Sequence, residues 1–250
     1  MNLNDKVTLV TGAGQGIGKG IAYSLAEYGA HVIIAEINET TGKEAAVEIE
    51  SRGGSAEAIQ LDVTDYELVK EAINAVVAQH GRIDVLVNNA GWDLPEPFLV
   101  STPDTWAKVI AINYLGVVHT CHAALPHMIE AGRGRIVNIG SDAGRVGSSG
   151  EAVYSGAKGG VIAFSKTVAR EVARKGIGIN VVCPGPTDTP LVADLATTNE
   201  GLVKALERAI PMGRLGQPSD LGAAVAFMAS DAAGFITGQT LSVSGGLTMA

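Results

Sequence analysis

Short apolar runs alternate with amphipathic segments from one end of this chain to the other. The first run, KVTLVT, is followed by a segment that places Ile17, Ile21 and Leu25 on one helical face. Further apolar runs are HVIIAE, AEAIQLD, RIDVLVNNAG, RGRIVNIGS, IGINVVCPG and QTLSVSGG. Strands that are apolar on both faces, each followed by a helix, predict an α/β fold in which helices cover both faces of a parallel sheet.

Right-handed crossovers place the carboxyl ends of parallel strands along one edge of such a sheet, where ligands bind. We therefore predict a doubly wound, Rossmann-type sheet of seven parallel strands in the order 3-2-1-4-5-6-7. No linker, repeat or low-complexity segment divides the 250 residues, so we predict one domain over 1–250. A helical insertion at 187–210 is its predicted substrate lid. The long helix from Pro103 to about Glu130 is expected to bend or break near Pro126.

Composition and charge limit the classes of partner. A hydrophobic content of 46% with 18% charged residues excludes a disordered chain. The net charge of −8 without a basic block argues against nucleic acid and anionic membranes. No uncharged apolar run is long enough to span a bilayer and no signal peptide is visible, so we expect a cytoplasmic protein.

Cysteine and histidine placement argues against a disulfide or a metal centre. Cys121 and Cys183 lie in apolar segments and fit no zinc or redox spacing. We expect both to be buried free thiols, as is usual in a reducing compartment. His119 and His122 are close in sequence but have no evident acidic or cysteine partner. No metal site is therefore predicted.

A glycine-rich turn joins the first strand to its helix. Within TGAGQGIG, the residues Gly12, Gly14, Gly16 and Gly18 allow a tight turn and the close approach of a pyrophosphate to the helix N-terminus. Such a motif in isolation is equally typical of a plain loop. Its position at the start of a βαβ unit favours dinucleotide binding, with Gln15 and Ile17 in the same turn.

Glu36, at the end of the second strand, predicts which dinucleotide is bound. A carboxylate there can accept both hydroxyls of the adenosine ribose and repels a 2′-phosphate. Gln15 leaves the glycine turn without a basic residue, and no arginine follows Glu36 closely. We therefore predict NAD rather than NADP; a solvated loop glutamate is the alternative interpretation of Glu36.

Two further strand ends complete the predicted cofactor half. Asp62 and Val63 follow the third strand, where a side chain and backbone amides can meet the adenine. The alternative for Asp62 is an N-cap for the next helix. Asn89, Ala90 and Gly91 follow the fourth strand and are small enough for their loop to pass close under the ribose and nicotinamide.

Ser141, Tyr154 and Lys158 are the predicted chemical groups. Tyr154 and Lys158 are four residues apart on a helical segment, so the phenol and the ammonium project the same way. Ser141 ends the fifth strand beside that helix. A cation in a partly dry site can lower a phenol pKa from about 10 by roughly 2–3 units. Taken alone, a Tyr-x-x-x-Lys pair is more typical of a solvated helix, and only the rest of the chain favours catalysis.

Several motifs occur together along essentially the whole chain. They are TGAGQGIG at 11–18, NNAG at 88–91, Asn113, Ser141, YSGAK at 154–158, PGPTDT at 184–189, and the GRLGQPSDL and GFITGQTLSVSGG segments. In combination they resemble the short-chain dehydrogenase/reductase family. This resemblance implies hydride transfer between nicotinamide C4 and a secondary alcohol or ketone.

The resemblance also implies a role for each residue. Tyr154 is the acid/base, Lys158 lowers its pKa and holds the nicotinamide ribose, Ser141 hydrogen-bonds the substrate oxygen, and Asn113 positions Lys158 and a water. A turn or cap is the alternative for Ser141, and a bond to its own helix backbone is the alternative for Asn113. The loop after the sixth strand is implied to contact the nicotinamide amide through Pro184, Gly185, Thr187 and Thr189, with Thr189 as the hydroxyl.

The substrate wall is predicted from three segments: Trp92 with its neighbours, 142–151 including Ala143, and the insertion. Leu191 is the predicted substrate contact of an apolar cover that also contains Val192, Leu195 and Leu202. Packing under this cover is the alternative for Trp92. No cationic cluster marks an anion pocket, although Arg145 could reach one.

Within the family, GWD at 91–93, GSDAGRVGSSGEAVY at 140–154 and SVSGGLTM are similar to 2-hydroxycyclohexanecarboxyl-CoA dehydrogenases and related cyclic and aryl alcohol dehydrogenases. This likeness favours NAD-linked oxidation of a bulky cyclic or aryl alcohol or a cyclic 2-hydroxyacyl-CoA. A 3-oxoacyl-thioester reductase acting on acyl carrier protein or CoA is the alternative. A dinucleotide-binding module without chemistry is the second alternative. The family resemblance further implies a homotetramer.

Overall fold

A computed structural model describes residues 1–190 and 200–250. Its strands are β1 (Val7–Thr11), β2 (His31–Glu36), β3 (Ser55–Gln60), β4 (Val85–Asn88), β5 (Gly134–Ile139), β6 (Ile177–Pro184) and β7 (Thr240–Val243). In this described part of the chain the seven strands form one parallel sheet in the order β3-β2-β1-β4-β5-β6-β7. The predicted sheet and strand order are confirmed.

Helices cover both faces of the sheet. They are α1 (Gly16–Glu27), α2 (Glu39–Ser51), α3 (Tyr66–His80), α4 (Pro103–Ile110), α5 (Gly116–Ala131), α6 (Ala143–Val146), α7 (Ala152–Val172), α8 (Glu200–Ala209) and α9 (Pro218–Ala229). Because strand side chains alternate between faces, Val10 packs in the core that contains α1 and α9, while Leu9 packs in the core that contains α3 and α5. Both are fully buried, which explains why the strands are apolar throughout.

The long helix after β4 departs from the predicted shape. Pro126 lies inside α5 without ending it, so the break expected there is wrong. The irregularity instead is a π-turn at Ala111–Leu115, between α4 and α5, and it contains the buried Asn113. A widened turn of this kind frequently occurs at functional sites because it re-aims one side chain.

The continuous helical stretch Pro103–Ala131 is long and apolar enough, by length and composition, to cross a membrane. Core helices of soluble proteins pass the same test. Here α5 packs against α3, and Val117, Cys121 and Ala124 are buried in the core. The interpretation that fits these contacts is a core helix. Cys121 and Cys183 are both free and buried, as predicted.

Candidate active site

A cleft of about 960 Å³ runs along the carboxyl edge of the sheet. It lies where the strand order reverses between β1 and β4, which is the expected ligand site of a doubly wound sheet. The cleft brings together nearly all of the predicted residues: Gly12, Gln15, Gly16, Ile17, Gly18, Glu36, Asp62, Val63, Asn89, Ala90, Gly91, Trp92, Asn113, Ser141, Ala143, Tyr154, Lys158, Pro184, Gly185 and Thr189.

The glycine turn has the shape that a dinucleotide requires. A Cβ on Gly18 would lie 2.2 Å from the Gly12 carbonyl oxygen, so this close backbone approach excludes any other residue. Asn89 holds the turn by donating from Nδ2 to the carbonyls of Thr11 at 3.0 Å and Gly12 at 2.9 Å. Asn89 therefore shapes the cofactor wall through hydrogen bonds that sequence reasoning did not specify.

The N-terminus of α1 opens into the same cleft. Gln15 precedes the helix without a side-chain capping bond, and the first turn contains no acidic side chain. The first backbone N–H groups of a helix, and its positive dipole end, favour an anionic group. The residues present therefore fit the pyrophosphate of a nicotinamide dinucleotide.

Glu36 is fixed at the far end of the cleft. Its Oε2 accepts from the Gly14 N–H at 3.0 Å, and its Oε1 accepts from the Ile37 N–H at 3.0 Å and the Asn38 N–H at 3.3 Å. The side chain is buried, so the solvated-loop alternative is wrong. This placement lets the carboxylate meet ribose hydroxyls at the end of β2.

Asp62 and Val63 line the cleft beside Glu36. Asp62 Oδ1 accepts from the Thr64 N–H at 2.8 Å and from the Thr64 hydroxyl at 2.7 Å. The N-cap of α3 is Asp65, whose side chain accepts from the backbone of Glu67 and Leu68. The N-cap alternative for Asp62 is therefore wrong, and its wall position agrees with the predicted adenine contact.

Lys158 lies at the other end, under β5. It is buried, and its Nζ donates to the Ile139 carbonyl at 2.8 Å. Burial lowers the pKa of this ammonium to about 8. Nζ lies 5.6 Å from the centroid of the Tyr154 ring, so the two side chains share one face of α7 as predicted.

Asn113 is turned into the site by the π-turn. Its Nδ2 donates to the Val109 carbonyl at 2.9 Å and to the Trp92 carbonyl at 2.5 Å, and its Oδ1 accepts from the Trp92 N–H at 3.3 Å. A Cβ on Gly91 would lie 3.0 Å from Asn113 Oδ1 and 3.8 Å from Lys158 Nζ. Both groups therefore border the same small space beside Gly91, and Asn113 also bonds its own helix.

The phenol of Tyr154 differs electrostatically from the sequence-based expectation. Burial raises its pKa above the usual value, Glu151 and Asp93 raise it further, and a hydrogen bond with Ser141 lowers it. The expected lowering by Lys158 is not among the causes of this shift. The phenol is neutral at neutral pH, which is the form that donates a proton to a ketone oxygen.

Two carboxylates beside Tyr154 were missed as part of the chemical site. Burial raises the pKa of Asp93 to about 6, with Glu151 and Glu96 adding to the increase and a hydrogen bond from the Leu94 backbone opposing it. Glu151 is three residues before Tyr154, and it lines the cleft with Asp93. No local motif marks this pairing, because Asp93 and Glu151 come from loops 58 residues apart.

Lys108 was also missed. Its Nζ lies 3.9 Å from the centroid of the Trp92 ring, and both residues line the cleft. A cation over an indole face is electrostatically favourable. Trp92 is therefore a wall residue that orients a cation, and Lys108 becomes a candidate contact for an anionic part of the substrate.

Two expectations about the loops, for Thr187 and Arg145, need correction, and a third concerns residues that the structure does not describe. Thr187 is buried and donates to the Gly185 carbonyl at 2.9 Å, so it supports the loop from below and does not line the cleft. Arg145, which could have reached an anion, donates from Nη1 to Ser242 Oγ at 2.7 Å and lies 3.5 Å from Asp142 Oδ1, so its charge already has a partner. Leu191 and the other predicted cover residues at 191–199 lie outside the described residues.

We expect the Glu151→Gln variant to oxidise alcohol at lower pH than wild type. The family resemblance implies that oxidation uses the phenolate of Tyr154, and the negative charge of Glu151 raises the pKa of that phenol. Removing the charge lowers this pKa, so the ascending limb of log kcat/KM against pH moves down by roughly 0.5 unit. The exposed Glu44 on α2 supplies a Glu44→Gln control. A limb that stays in place or moves to higher pH contradicts the assignment.

Comparison with known proteins gives matches over the whole chain. A family model described as "Enoyl-(Acyl carrier protein) reductase" matches residues 12–248. The protein named 3-oxoacyl-[acyl-carrier-protein] reductase FabG from Vibrio cholerae serotype O1 is 40% identical over 249 residues, covering 100% of both chains. The relative of the same name from Thermotoga maritima is 38% identical, again over 100% of both chains.

Among solved structures, a putative NAD(P) dependent gluconate 5-dehydrogenase from Beutenbergia cavernae has a TM-score of 0.93 and 35% identity, covering 98% of each chain. That structure contains NADP at low occupancy. The matched proteins are named for reactions on different substrates, a 3-oxoacyl-[acyl-carrier-protein] and gluconate, so their names do not identify one substrate for this chain.

Proposed function

This chain belongs to the short-chain dehydrogenase/reductase family, and we propose that it transfers a hydride between NAD and the third carbon of an acyl thioester. As a member of the family it is an oxidoreductase acting on CH–OH or ketone groups with a nicotinamide dinucleotide. The observation that carries the proposal is the convergence of Ser141, Tyr154 and Lys158 in the cleft that also contains the glycine turn.

The thioester unites the two substrate classes that the sequence left open. The curated relatives are named for a ketone on the third carbon of an acyl chain held by acyl carrier protein. In a 2-hydroxycyclohexanecarboxyl thioester the ring hydroxyl has the same position relative to the thioester carbonyl. The relatives' names support the thioester reductase alternative more strongly than a free cyclic alcohol. A thioester that carries a ring agrees both with these names and with the sequence likeness to cyclic 2-hydroxyacyl-CoA dehydrogenases.

The wall of the cleft supports an acyl thioester. Trp92 and Ile112 supply apolar surface beside the reacting groups, and Lys108 supplies a cation at the same wall. Phosphate groups of CoA or of a carrier phosphopantetheine are favourable partners for such a cation. A free cyclic alcohol would leave Lys108 without a role in binding.

The chain's own groups handle the proton. NAD supplies the hydride acceptor when it is bound. In oxidation the hydroxyl proton of the substrate passes to Tyr154 as the C–H hydride leaves, and in reduction the Tyr154 phenol returns that proton to the ketone oxygen. Ser141 holds the substrate oxygen, and Lys158 holds positive charge beside the phenol, fixed by its bond to the Ile139 carbonyl.

Steady-state reduction by NADH tests the substrate class. We expect acetoacetyl-CoA or 2-oxocyclohexanecarboxyl-CoA to exceed cyclohexanone and acetophenone by at least about 100-fold in kcat/KM, because remote binding energy contributes to the transition state. The same acyl groups on N-acetylcysteamine separate the acyl contribution from that of CoA. Free ketones that react as efficiently as the thioesters would overturn the proposal.

Lys108→Ala extends the same test. We expect it to lower kcat/KM several-fold for the CoA thioester and to leave the phosphate-free N-acetylcysteamine thioester unchanged, since only CoA presents phosphates. Lys166→Ala, on the exposed side of α7, is the control. Equal losses for both thioesters would remove Lys108 from phosphate recognition.

We further propose that the protein is a cytoplasmic homotetramer with a small-molecule substrate. Phe235 is fully exposed, and Met249 is 84% exposed, with Leu241 and Leu247 in the same C-terminal segment. Exposed large apolar side chains grouped in one segment favour contact with another chain. Light scattering tests this, with a mass four times the 25.6 kDa of one chain expected.

A further inference from the structure

Three potential metal ligands meet at the opposite edge of the sheet from the cleft. His31 begins β2, Glu57 lies in β3, and His80 ends α3. One ligand atom from each lies within 4.8 Å of the other two. No local spacing in the sequence marks this cluster, because the three residues are 26 and 23 positions apart. They come together only in the fold, where β2 pairs with β3 and α3 ends beside them.

The distances are close to those of a coordination sphere. His80 Nε2 lies 2.7 Å from Glu57 Oε1, and His31 Nε2 lies 4.0 Å from the same oxygen. Tetrahedral zinc with bonds near 2.0–2.1 Å places its ligand atoms about 3.3 Å apart. To bind zinc, the distance from His80 Nε2 to Glu57 Oε1 has to increase and the distance from His31 Nε2 to the same oxygen has to decrease, each by roughly 0.6–0.7 Å. Side-chain rotation in these partly exposed residues allows both changes.

His31 provides an independent observation. Its Nε2 is buried and has no hydrogen-bond partner among the described residues, an arrangement that costs free energy unless something else binds there. His31 Nδ1 lies 2.7 Å from Ser55 Oγ. When the Nδ1–H donates a hydrogen bond to this hydroxyl oxygen, the lone pair of Nε2 is left free for a metal.

Glu57 is also held in place from behind. Gln79 Nε2 donates to Glu57 Oε2 at 3.0 Å, which leaves Oε1 directed to the two histidines. An outer hydrogen bond that orients a ligating carboxylate is typical of metal sites. The imidazole–imidazole–carboxylate set is suited to zinc among the divalent ions.

We propose that His31 Nε2, His80 Nε2 and the Glu57 carboxylate bind one Zn²⁺ per chain, with water as the fourth ligand. The ion would connect β2, β3 and α3, the elements that support the adenine half of the cleft. It lies away from Tyr154 and takes no part in hydride transfer. Its expected role is to stabilise the folded chain, since a ligand that binds only the folded state raises the melting temperature.

Calorimetric titration of the untagged, full-length protein with zinc chloride at pH 7.5 tests the proposal. We expect one site per chain with a micromolar dissociation constant in wild type. His80→Gln and the nearly isosteric Glu57→Gln are each expected to weaken binding at least about 10-fold. His127→Gln is the matched control, because His127 is a partly exposed helical histidine that bonds Asn74 Oδ1 outside the cluster. Zinc should raise the melting temperature of wild type and of this control, and leave that of the two ligand variants unchanged.

The outcomes separate the proposal from adventitious binding. A wild-type dissociation constant of about 1 mM or weaker overturns it, as does binding that both ligand variants retain, which would place the zinc elsewhere. An equal loss in His127→Gln also overturns it. Circular dichroism checks that each variant is folded. Glu57→Gln is expected to stay folded because its side-chain oxygen can still accept the hydrogen bond from Gln79.

Discussion

Tyr154→Phe is expected to lower kcat by at least about 100-fold while NADH binds within a few-fold of its wild-type affinity. In the proposed function the phenol exchanges a proton with the substrate oxygen, and general acid–base catalysis typically contributes 10²–10⁴-fold. The ring itself remains, so the wall of the cleft and its contact with Lys158 persist. Steady-state rates together with fluorescence titration of NADH measure the two quantities separately.

The control for that variant is Tyr28→Phe, which removes a hydroxyl from the residue after α1, away from the cleft. It should retain wild-type turnover. Near-normal kcat in Tyr154→Phe would remove the acid/base role, and a loss of NADH binding as large as the loss of kcat would make Tyr154 a binding residue. Solvent isotope effects add a further check. If proton transfer to or from Tyr154 limits the rate, kcat of wild type is lower in D2O than in H2O.

The sequence predicted the sheet and the position of the cleft because both follow from local patterns. A run of four to eight apolar residues indicates a buried strand, and parallel strands place their carboxyl ends along one edge of the sheet. The pair Tyr154 and Lys158 was predictable for a similar reason, since a spacing of four on a helix fixes a shared face. Gly18 also fits this category, because its close contact with Gly12 lies within one turn.

What the sequence could not supply depends on contacts between distant segments. The π-turn around Asn113 is stabilised by the Trp92 backbone from another loop, so a proline-based expectation placed the irregularity at Pro126 instead. The pKa of Tyr154 depends on burial and on Asp93 as well as on its sequence neighbour Glu151. The spacing of Tyr154 and Lys158 indicates that the phenol and the ammonium lie on one helix face. It indicates neither the burial of the phenol nor the approach of the Asp93 carboxylate from the loop after β4.

Wild type is expected to use NADH at least about 100-fold more efficiently than NADPH, and Glu36→Ala to remove most of that preference. Two hydrogen bonds from ribose hydroxyls to a carboxylate contribute about 1.5–3 kcal/mol each, and a 2′-phosphate would instead meet the negative charge of Glu36. The cations that line the described part of the cleft are Lys108 and Lys158, and Lys158 lies under β5 rather than at Glu36. The measurement is kcat/KM for both cofactors with one ketone substrate.

Glu36→Gln separates the charge from the shape. Glu36 also accepts from the backbone of Gly14, Ile37 and Asn38, so Glu36→Ala disturbs the glycine turn as well as the ribose contact. The glutamine keeps an acceptor oxygen and the same length but carries no charge. It should therefore retain NADH efficiency better than alanine does and gain efficiency with NADPH, because the repulsion of the 2′-phosphate is gone. A wild type that prefers NADPH, or a glutamine variant in which the ratio of the two cofactors does not change, would mean that Glu36 does not select the cofactor.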